Sequence, residues 1–273
     1  MNLIEKELKI KQFRVEANSF FSHVNLDVQE INLIYDLYFN NKKYKINSSH
    51  SSNLFLYYGN YYKSRQNFEK MIKYYQKAIK KNNSSAMNNL ALYYEQRWEF
   101  DDMTKYYLMA IENDNISSMY NLGLYYKWQR NFVDMRKYFL MAIEKGHLKA
   151  MNRLGDYYKE TKDYENMMQY YLMAIKKGNS MAMNNLGIYY KEQKDYENIL
   201  KYHLMACEKD EFSLEHFISI DKKIIIEYLL KLNDNKRNNN KIIKKLKGNI
   251  RQLTYKPDGP GYIKTKNHFD LLI

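Results

Sequence analysis

The sequence predicts an all-α fold, a right-handed α-solenoid of stacked antiparallel helix pairs. Three observations point there: an internal repeat of fixed length, helical spacing of apolar residues inside each repeat, and a shortage of turn-forming residues. Leu90, Leu122, Leu154 and Leu186 stand 32 residues apart, and each is followed by a small residue, Ala91, Gly123, Gly155 or Gly187. The register extends upstream to Gly59 and Tyr61-Tyr62. Downstream, the pairs Tyr74-Tyr75, Tyr106-Tyr107, Tyr138-Phe139, Tyr170-Tyr171 and Tyr202-His203 recur, followed by Ala78, Ala110, Ala142, Ala174 and Ala206. With nine Gly and two Pro against 29 Tyr and 15 Met, a loop-rich enzyme or a strand-rich sandwich is a poor fit.

Each repeat reads as two helices. In the fifth, Ala182, Met183, Leu186, Gly187 and Tyr190 share one face of a helix A, with Asn184, Ile188 and Lys191 opposite. Tyr196, Ile199, Leu200, His203, Ala206 and Cys207 form the stripe of a helix B. Asn67, Glu99, Asn131, Asp163 and Asp195 precede successive B helices, and four of the five are good N-caps. Asn82, Asp114, Gly146, Gly178 and Asp210 follow the B helices, and these types tolerate the left-handed conformation that closes a helix. The small residues at 59, 91, 123, 155 and 187 let helices approach closely. One such hairpin cannot cover its own apolar stripe, so neighbours must stack in a row.

The chain is accordingly divided into four parts. Residues 1–52, with a helical pattern at Val28, Ile31, Ile34, Tyr35 and Tyr38, are expected to form an N-terminal cap. Residues 53–212 hold five repeats, 213–232 a degenerate capping hairpin, and 233–273 a basic linker and a turn-rich tail.

A chain of 273 residues with 45% apolar and 27% charged residues can bury a substantial core. Its single cysteine, Cys207, forbids an internal disulfide and multi-cysteine metal sites, which fits a reducing compartment. The opening MNLIEKELKIKQF interrupts its apolar residues with charge, and no run approaches a membrane span, so a cytoplasmic location is expected. The net charge of +13 is unevenly placed: residues 1–220 carry 31 basic and 26 acidic side chains, residues 221–273 carry 13 and 5. The repeats therefore hold little of the excess. A bias towards Lys, Asn and Tyr, which AT-rich coding produces without selection, further weakens basicity as a functional signal.

The segment AMNNLGIYYKEQKDYENILKYHLMA resembles a tetratricopeptide repeat: Leu186, Gly187, Tyr190, Tyr196, His203 and Ala206 fall where that family has Leu, Gly, Tyr, Tyr, an aromatic residue and Ala. The period is 32 rather than 34. The small residue usual early in helix B is replaced by Met71, Met103, Met135, Met167 or Ile199. The junction AIEKGHLKAMNRLG is closer to the Sel1-like subfamily, although the longer inter-helix loop usual there is missing. The residue bias and the KPDGPGY tail also resemble repeat proteins of giant DNA viruses, which would make the location host cytoplasm. The resemblance implies a scaffold or adaptor that holds protein or peptide segments in the concave face of the array.

No catalytic pattern competes with this reading. The six His residues, at 23, 50, 147, 203, 216 and 268, show no metal-binding spacing, and neither a His-Glu-x-x-His helix nor a Gly-x-Ser-x-Gly turn occurs. His203 and Cys207 are read as core. Pro257-Asp258-Gly259-Pro260-Gly261 lacks the residues of a phosphate-binding loop and is read as a turn. Glu69, Asp102, Asp134, Glu165 and Glu197 sit in the first turn of helix B, where the helix dipole favours them. Met109, Met141, Met173 and Met205 lie off the core stripe, set to pack on the next repeat or to face a partner. A non-enzymatic protein needing no metal and no cofactor is expected.

By the same resemblance helix A lines the inner curve. Its outward triplets supply the predicted groove: Asn60 and Lys63; Asn88; Tyr120 and Lys127; Asn152 and Lys159; Asn184 and Lys191. Lysine charge and asparagine amides suit an acidic peptide or a C-terminal carboxylate. The same residues are also what a merely solvated face of a Lys- and Asn-rich helix contains. Two alternatives remain at this level, a single-stranded RNA-binding array and an assembly component without ligand. No membrane partner is expected.

Overall fold

A computed structural model describes residues 26–207. Residues 1–25 of the expected cap, Asp210, the hairpin at 213–232 and the tail at 233–273 lie outside the described residues. Among the described residues there are eleven α-helices and no strand. A first helix, α1 (Val28–Phe39), precedes five hairpins: α2 (Ser52–Ser64) with α3 (Phe68–Ile79), α4 (Ser84–Gln96) with α5 (Phe100–Glu112), α6 (Ile116–Trp128) with α7 (Phe132–Glu144), α8 (Leu148–Glu160) with α9 (Tyr164–Lys176), and α10 (Ser180–Glu192) with α11 (Tyr196–Cys207). Within the hairpins α2 packs on α3, α4 on α5, α6 on α7 and α10 on α11. Between successive hairpins α3 packs on α4, α5 on α6 and α9 on α10. The architecture is an all-α repeat solenoid. The chain forms two compact units, one ending at Ala150 and one beginning at Met151, so the division falls inside α8.

The helix boundaries follow from side-chain chemistry. Asn67, Asn131, Asp163 and Asp195 each accept a hydrogen bond from the backbone N–H three residues on, covering one of the free donors that open helix B. Glu99 makes no such bond. Helix A has its own caps, which sequence reading passed over: Ser51, Asn83, Asn115, His147 and Asn179 accept from Leu54, Ala86, Ser118, Ala150 and Ala182. Asn82, Asp114, Gly146 and Gly178 close the B helices at positive φ, as their residue types suggest. Gln66, Trp98, Arg130, Lys162 and Lys194 close the A helices in the same conformation, with φ between 55° and 61°. None of these five is a residue type that marks a left-handed position, so nothing in their identity reveals it.

The core repeats with the sequence. Met71, Met103, Met135, Met167 and Ile199, the departures from the tetratricopeptide pattern, are fully buried. So are Leu90, Leu122, Leu154 and Leu186 of helix A, and each contributes about 1.5–3 kcal/mol of burial. Tyr62 stacks on Tyr74, Tyr94 on Tyr106, Tyr126 on Tyr138, Tyr158 on Tyr170 and Tyr190 on Tyr202, with centroids 5.4–5.6 Å apart and planes within 5°. These offset pairs join helix A to helix B in every repeat. In α1, Ile31, Ile34, Tyr35 and Leu37 are buried, whereas Val28 and Tyr38, expected on that stripe, are exposed. Met109, Met141, Met173 and Met205 are half-buried, and Met141 packs against the Met103–Tyr107–Leu122 cluster.

The small residues of helix A serve a ring rather than a helix axis. A Cβ on Gly123 would stand 2.6 Å from the Phe139 ring, and one on Gly155 equally near Tyr171. The second repeat carries Ala91 there, fully buried beside Tyr107. The close approach of a helix B ring to helix A backbone is thus the fixed feature, and a methyl is the largest group found there.

Candidate functional site

The predicted groove residues do lie along helix A, but three asparagines are already engaged within the array. Asn88 and Asn152 are only 9% and 4% exposed. The amide oxygen of Asn88 accepts from Ser118 Oγ at 3.0 Å and from Asn121 Nδ2 at 3.3 Å. That of Asn152 accepts from Asn185 Nδ2 at 3.2 Å, while its own amide donates to Asp156 at 3.3 Å. Asn60 accepts from Asn89 Nδ2 at 3.1 Å. These bonds tie α2 to α4, α4 to α6 and α8 to α10, so Asn60, Asn88 and Asn152 are inter-repeat rungs and not an open row of amides. Sequence reading missed their donors Asn89, Asn121 and Asn185, one position further along the helix. The recurrence of an asparagine at one or both of two adjacent helix A positions, 88/89, 120/121, 152/153 and 184/185, was the available signal.

The lysines have local partners as well. Lys63, Lys127, Lys159 and Lys191 all sit in the last turn of helix A, where a cation offsets the helix dipole. All four are half-buried, and Lys159 pairs with Glu192 at 2.9 Å. Asn184 lies 3.3 Å from His203 Nδ1.

A second set of bonds crosses from helix B to helix A within one hairpin. Tyr75 donates to Asn60 at 2.7 Å, Tyr107 to Glu95 at 2.8 Å and Tyr171 to Asp156 at 2.8 Å. Burial pushes the Tyr75 hydroxyl up to about 12. It raises Tyr107 and Tyr171 as well, with the facing carboxylates adding to the shift, so all three stay protonated donors. In the third repeat Phe139 has no hydroxyl, and its ring lies 5.8 Å from Tyr120, one turn before Leu124. In the first, second and fourth repeats the helix B tyrosine thus finds a helix A acceptor, at the Asn60 and Asp156 position in two of them and one turn later, at Glu95, in the other.

The third repeat is also where the face opens. An open cleft of about 770 Å³ is lined by Asn88 and Leu92 of α4, Ile116, Ser117, Tyr120 and Asn121 of α6, and Lys145 to Lys149 at the start of α8. Of the predicted residues it gathers Asn88 and Tyr120. Of those it adds, Ser117 and Asn121 lie on α6 itself, while His147 and Lys149 come from the turn into α8 and its first turn and were not legible from the preceding helix A alone. Its lining holds two lysines and no carboxylate; Lys145 is bonded to Asp114 at 2.7 Å, and Lys149 is exposed. His147 stacks on Tyr120, centroids 4.5 Å apart. Its Nδ1 takes the Ala150 N–H at 3.2 Å, a role open only to the neutral ring. Burial, with help from the Lys149 charge, lowers its pKa and favours that form.

His203, expected in the core, is 2% exposed and its ring lies against Gly187. Among the described residues no three His, Cys, Asp or Glu side chains are placed to hold a metal ion, and no helix is long and apolar enough to cross a membrane.

Comparison with solved structures agrees with this geometry. The chain is similar to the crystal structure of a Sel1 repeat protein from Oxalobacter formigenes, with a TM-score of 0.53 and 21% identity over 62% of this chain and 78% of that one. The two share an all-α helical repeat fold. A structure of PilF from Pseudomonas aeruginosa is also similar, with a TM-score of 0.51 and 13% identity over 79% of this chain and 99% of that one. No protein-family model matches the sequence, and no curated protein matches it.

Proposed function

We propose that this Sel1-like array is a non-enzymatic scaffold that binds an extended protein segment on its helix A face, with the third-repeat cleft as the anchoring point. The observation that supports the reading is the cleft itself, an open hollow of about 770 Å³ on the face where Asn60 and Asn152 are bonded between repeats. Tyr120, Leu92, Ile116 and Leu148 offer apolar contact, and Ser117, Asn121 and Lys149 offer polar contact, the mixture that fixes a bound chain. The surplus of cations suits an acidic segment. Glu95 and Asp156 on the same helix A face make a long polyanion a poorer fit.

Selection from a displayed random-peptide library against the intact protein tests this. Peptides rich in Asp and Glu are expected, and Lys149→Glu and Ser117→Trp, both exposed positions, should each abolish their binding while leaving the helical content intact. Peptides that bind both variants as well as the parent would refute the assignment. An electrophoretic shift with single-stranded RNA that weakens steeply between about 50 and 200 mM salt would favour the nucleic-acid alternative instead.

A further inference from the structure

Three apolar residues break the repeat pattern where helix A turns into helix B. Trp98, Trp128 and Val133 belong to the second and third repeats, within the unit that ends at Ala150, and are 69%, 59% and 70% exposed. The other repeats place polar residues at each position: Gln66, Arg130, Lys162 and Lys194 for Trp98; Ser64, Gln96, Glu160 and Glu192 for Trp128; Glu69, Asp101, Glu165 and Glu197 for Val133. Trp98 and Trp128, the only tryptophans of the chain, meet with ring centroids 6.1 Å apart, and Phe100 packs on both at 5.9 and 5.4 Å. Trp128 ends α6, and across the short turn that follows stand Phe132, 40% exposed, and Val133 at the start of α7. Three independent departures therefore gather at one edge.

Stability of the fold does not account for them. Trp98 holds φ at 61°, a region unfavourable for a bulky side chain, and both indole rings remain largely in water. A grouped apolar surface of this kind marks a contact. Its charge says with what. In the two turn segments, residues 97–101 and 127–134, the cations Arg97, Lys127 and Arg130 equal in number the carboxylates Glu99, Asp101 and Asp134, and Arg97 is already paired with Glu99. A phosphate backbone needs an excess of cation, so nucleic acid is not the match. A surface that meets its own copy across a two-fold axis must be its own complement, which a neutral edge carrying both signs satisfies. The chain as a whole carries +13, so two copies repel at long range and approach most easily where the local charge is zero.

We propose that Trp98, Trp128, Phe132 and Val133 form the contact of a homodimer, in which this edge of one copy packs on the same edge of a second. The area supports a pair that exchanges with monomer. At the exposures given, the four side chains leave about 500 Å² of apolar surface per copy in water. Covering it on both copies, with the polar residues of the two turns as a rim, buries about 1,200 Å² in total, the lower end of what specific interfaces bury. The departures occur once and do not recur every 32 residues, so each copy offers one such surface. A single self-complementary surface closes at two copies, whereas one repeated along the array would propagate.

Sedimentation velocity of the full chain between about 1 and 200 µM tests this, with a shift expected from 33.2 kDa to twice that mass and a midpoint of about 10–100 µM. Tryptophan emission should move to the blue over the same range, since pairing covers both rings. Raising salt from about 0.1 to 0.5 M should tighten the pair severalfold by screening the repulsion between cationic copies, the reverse of a contact held by charge. Trp98→Gln/Trp128→Gln installs the residues that the array uses at 66 and 96, so far-UV circular dichroism should be unchanged while association weakens at least tenfold. Val133→Glu, as at 165, keeps both tryptophans and should leave their emission independent of concentration up to about 100 µM. A chain that stays monomeric at the highest concentration in high salt would overturn the proposal. Dimers that form equally well in both variants would place the contact elsewhere and overturn it too. Rings already shielded from acrylamide at about 1 µM, where copies are apart, would assign the edge to a segment of the same chain instead.

Discussion

Replacing Tyr171 by Phe removes one hydroxyl from a ring that is 1% exposed and tests whether ring and acceptor are matched within a repeat. The hydroxyl donates to Asp156 Oδ1 at 2.8 Å, and a hydrogen bond to a charged partner contributes about 1.5–3 kcal/mol. Asp156 keeps a second donor, Asn185 Nδ2 at 2.8 Å, and its side chain is 21% exposed, so water compensates in part. The expected cost is at the low end, about 1–1.5 kcal/mol. Asp156→Leu alone strands the buried Tyr171 hydroxyl and should cost about 1–3 kcal/mol. The double change installs the residues that the third repeat carries at the equivalent positions, Phe139 and Leu124, so it should cost clearly less than the sum, with a coupling of about 1 kcal/mol or more. Urea denaturation followed by far-UV circular dichroism measures the cycle, with midpoints compared only where the slope is unchanged, since repeat arrays can depart from two-state unfolding. Because the hydroxyl is raised above its ordinary value, the coupling should be the same at pH 7 and pH 9. Single changes that add within about 0.5 kcal/mol would refute the matching rule.

Three further outcomes follow from the caps. His147 has a lowered pKa in the folded protein against an unfolded value of 6.5, so the unfolded chain binds more protons and stability should fall as pH drops below that value. His147→Asn, the residue used at 83, 115 and 179, should flatten this part of the melting-temperature profile between pH 7 and pH 5. Gly178 sits at φ 80° with nothing within 4 Å of an added Cβ, so Gly178→Ala should cost about 1 kcal/mol through the backbone alone, and Gly178→Asn, as at Asn82, less; equal melts would contradict this. Glu99 is the one helix B opener among five that makes no side-chain cap, so Glu99→Asn should raise stability by about 0.5–1 kcal/mol in chemical denaturation.

What the sequence revealed and what it hid divide along physical lines. Leu90, Leu122, Leu154 and Leu186 repeat because a buried stripe demands them, and the openers Asn67, Asn131, Asp163 and Asp195 repeat because free N–H groups do. Both leave periodic marks. The left-handed closers Gln66, Arg130, Lys162 and Lys194 carry no mark, since any L-residue can be forced there when the turn requires it. The residues of the expected groove lie on helix A, where the periodicity put them, but their bonding was legible only in part. Helical periodicity separates the core stripe from the opposite face, but it does not say that Asn121 reaches Asn88, or that Asn185 reaches Asn152, in the preceding hairpin. The cleft at Tyr120 was hidden for a different reason, because His147 and Lys149 enter it from the turn between two repeats.

Hydrogen exchange of the intact protein, with and without an acidic peptide selected against it, tests the functional account most directly. Ligand should slow exchange in the first turns of α6 and α8, around Ser117 to Asn121 and His147 to Ala150, and leave the outer residues Leu108, Leu140 and Leu172 of helix B unaffected. Protection confined to those outer leucines, or to the Trp98–Trp128 edge, would contradict it.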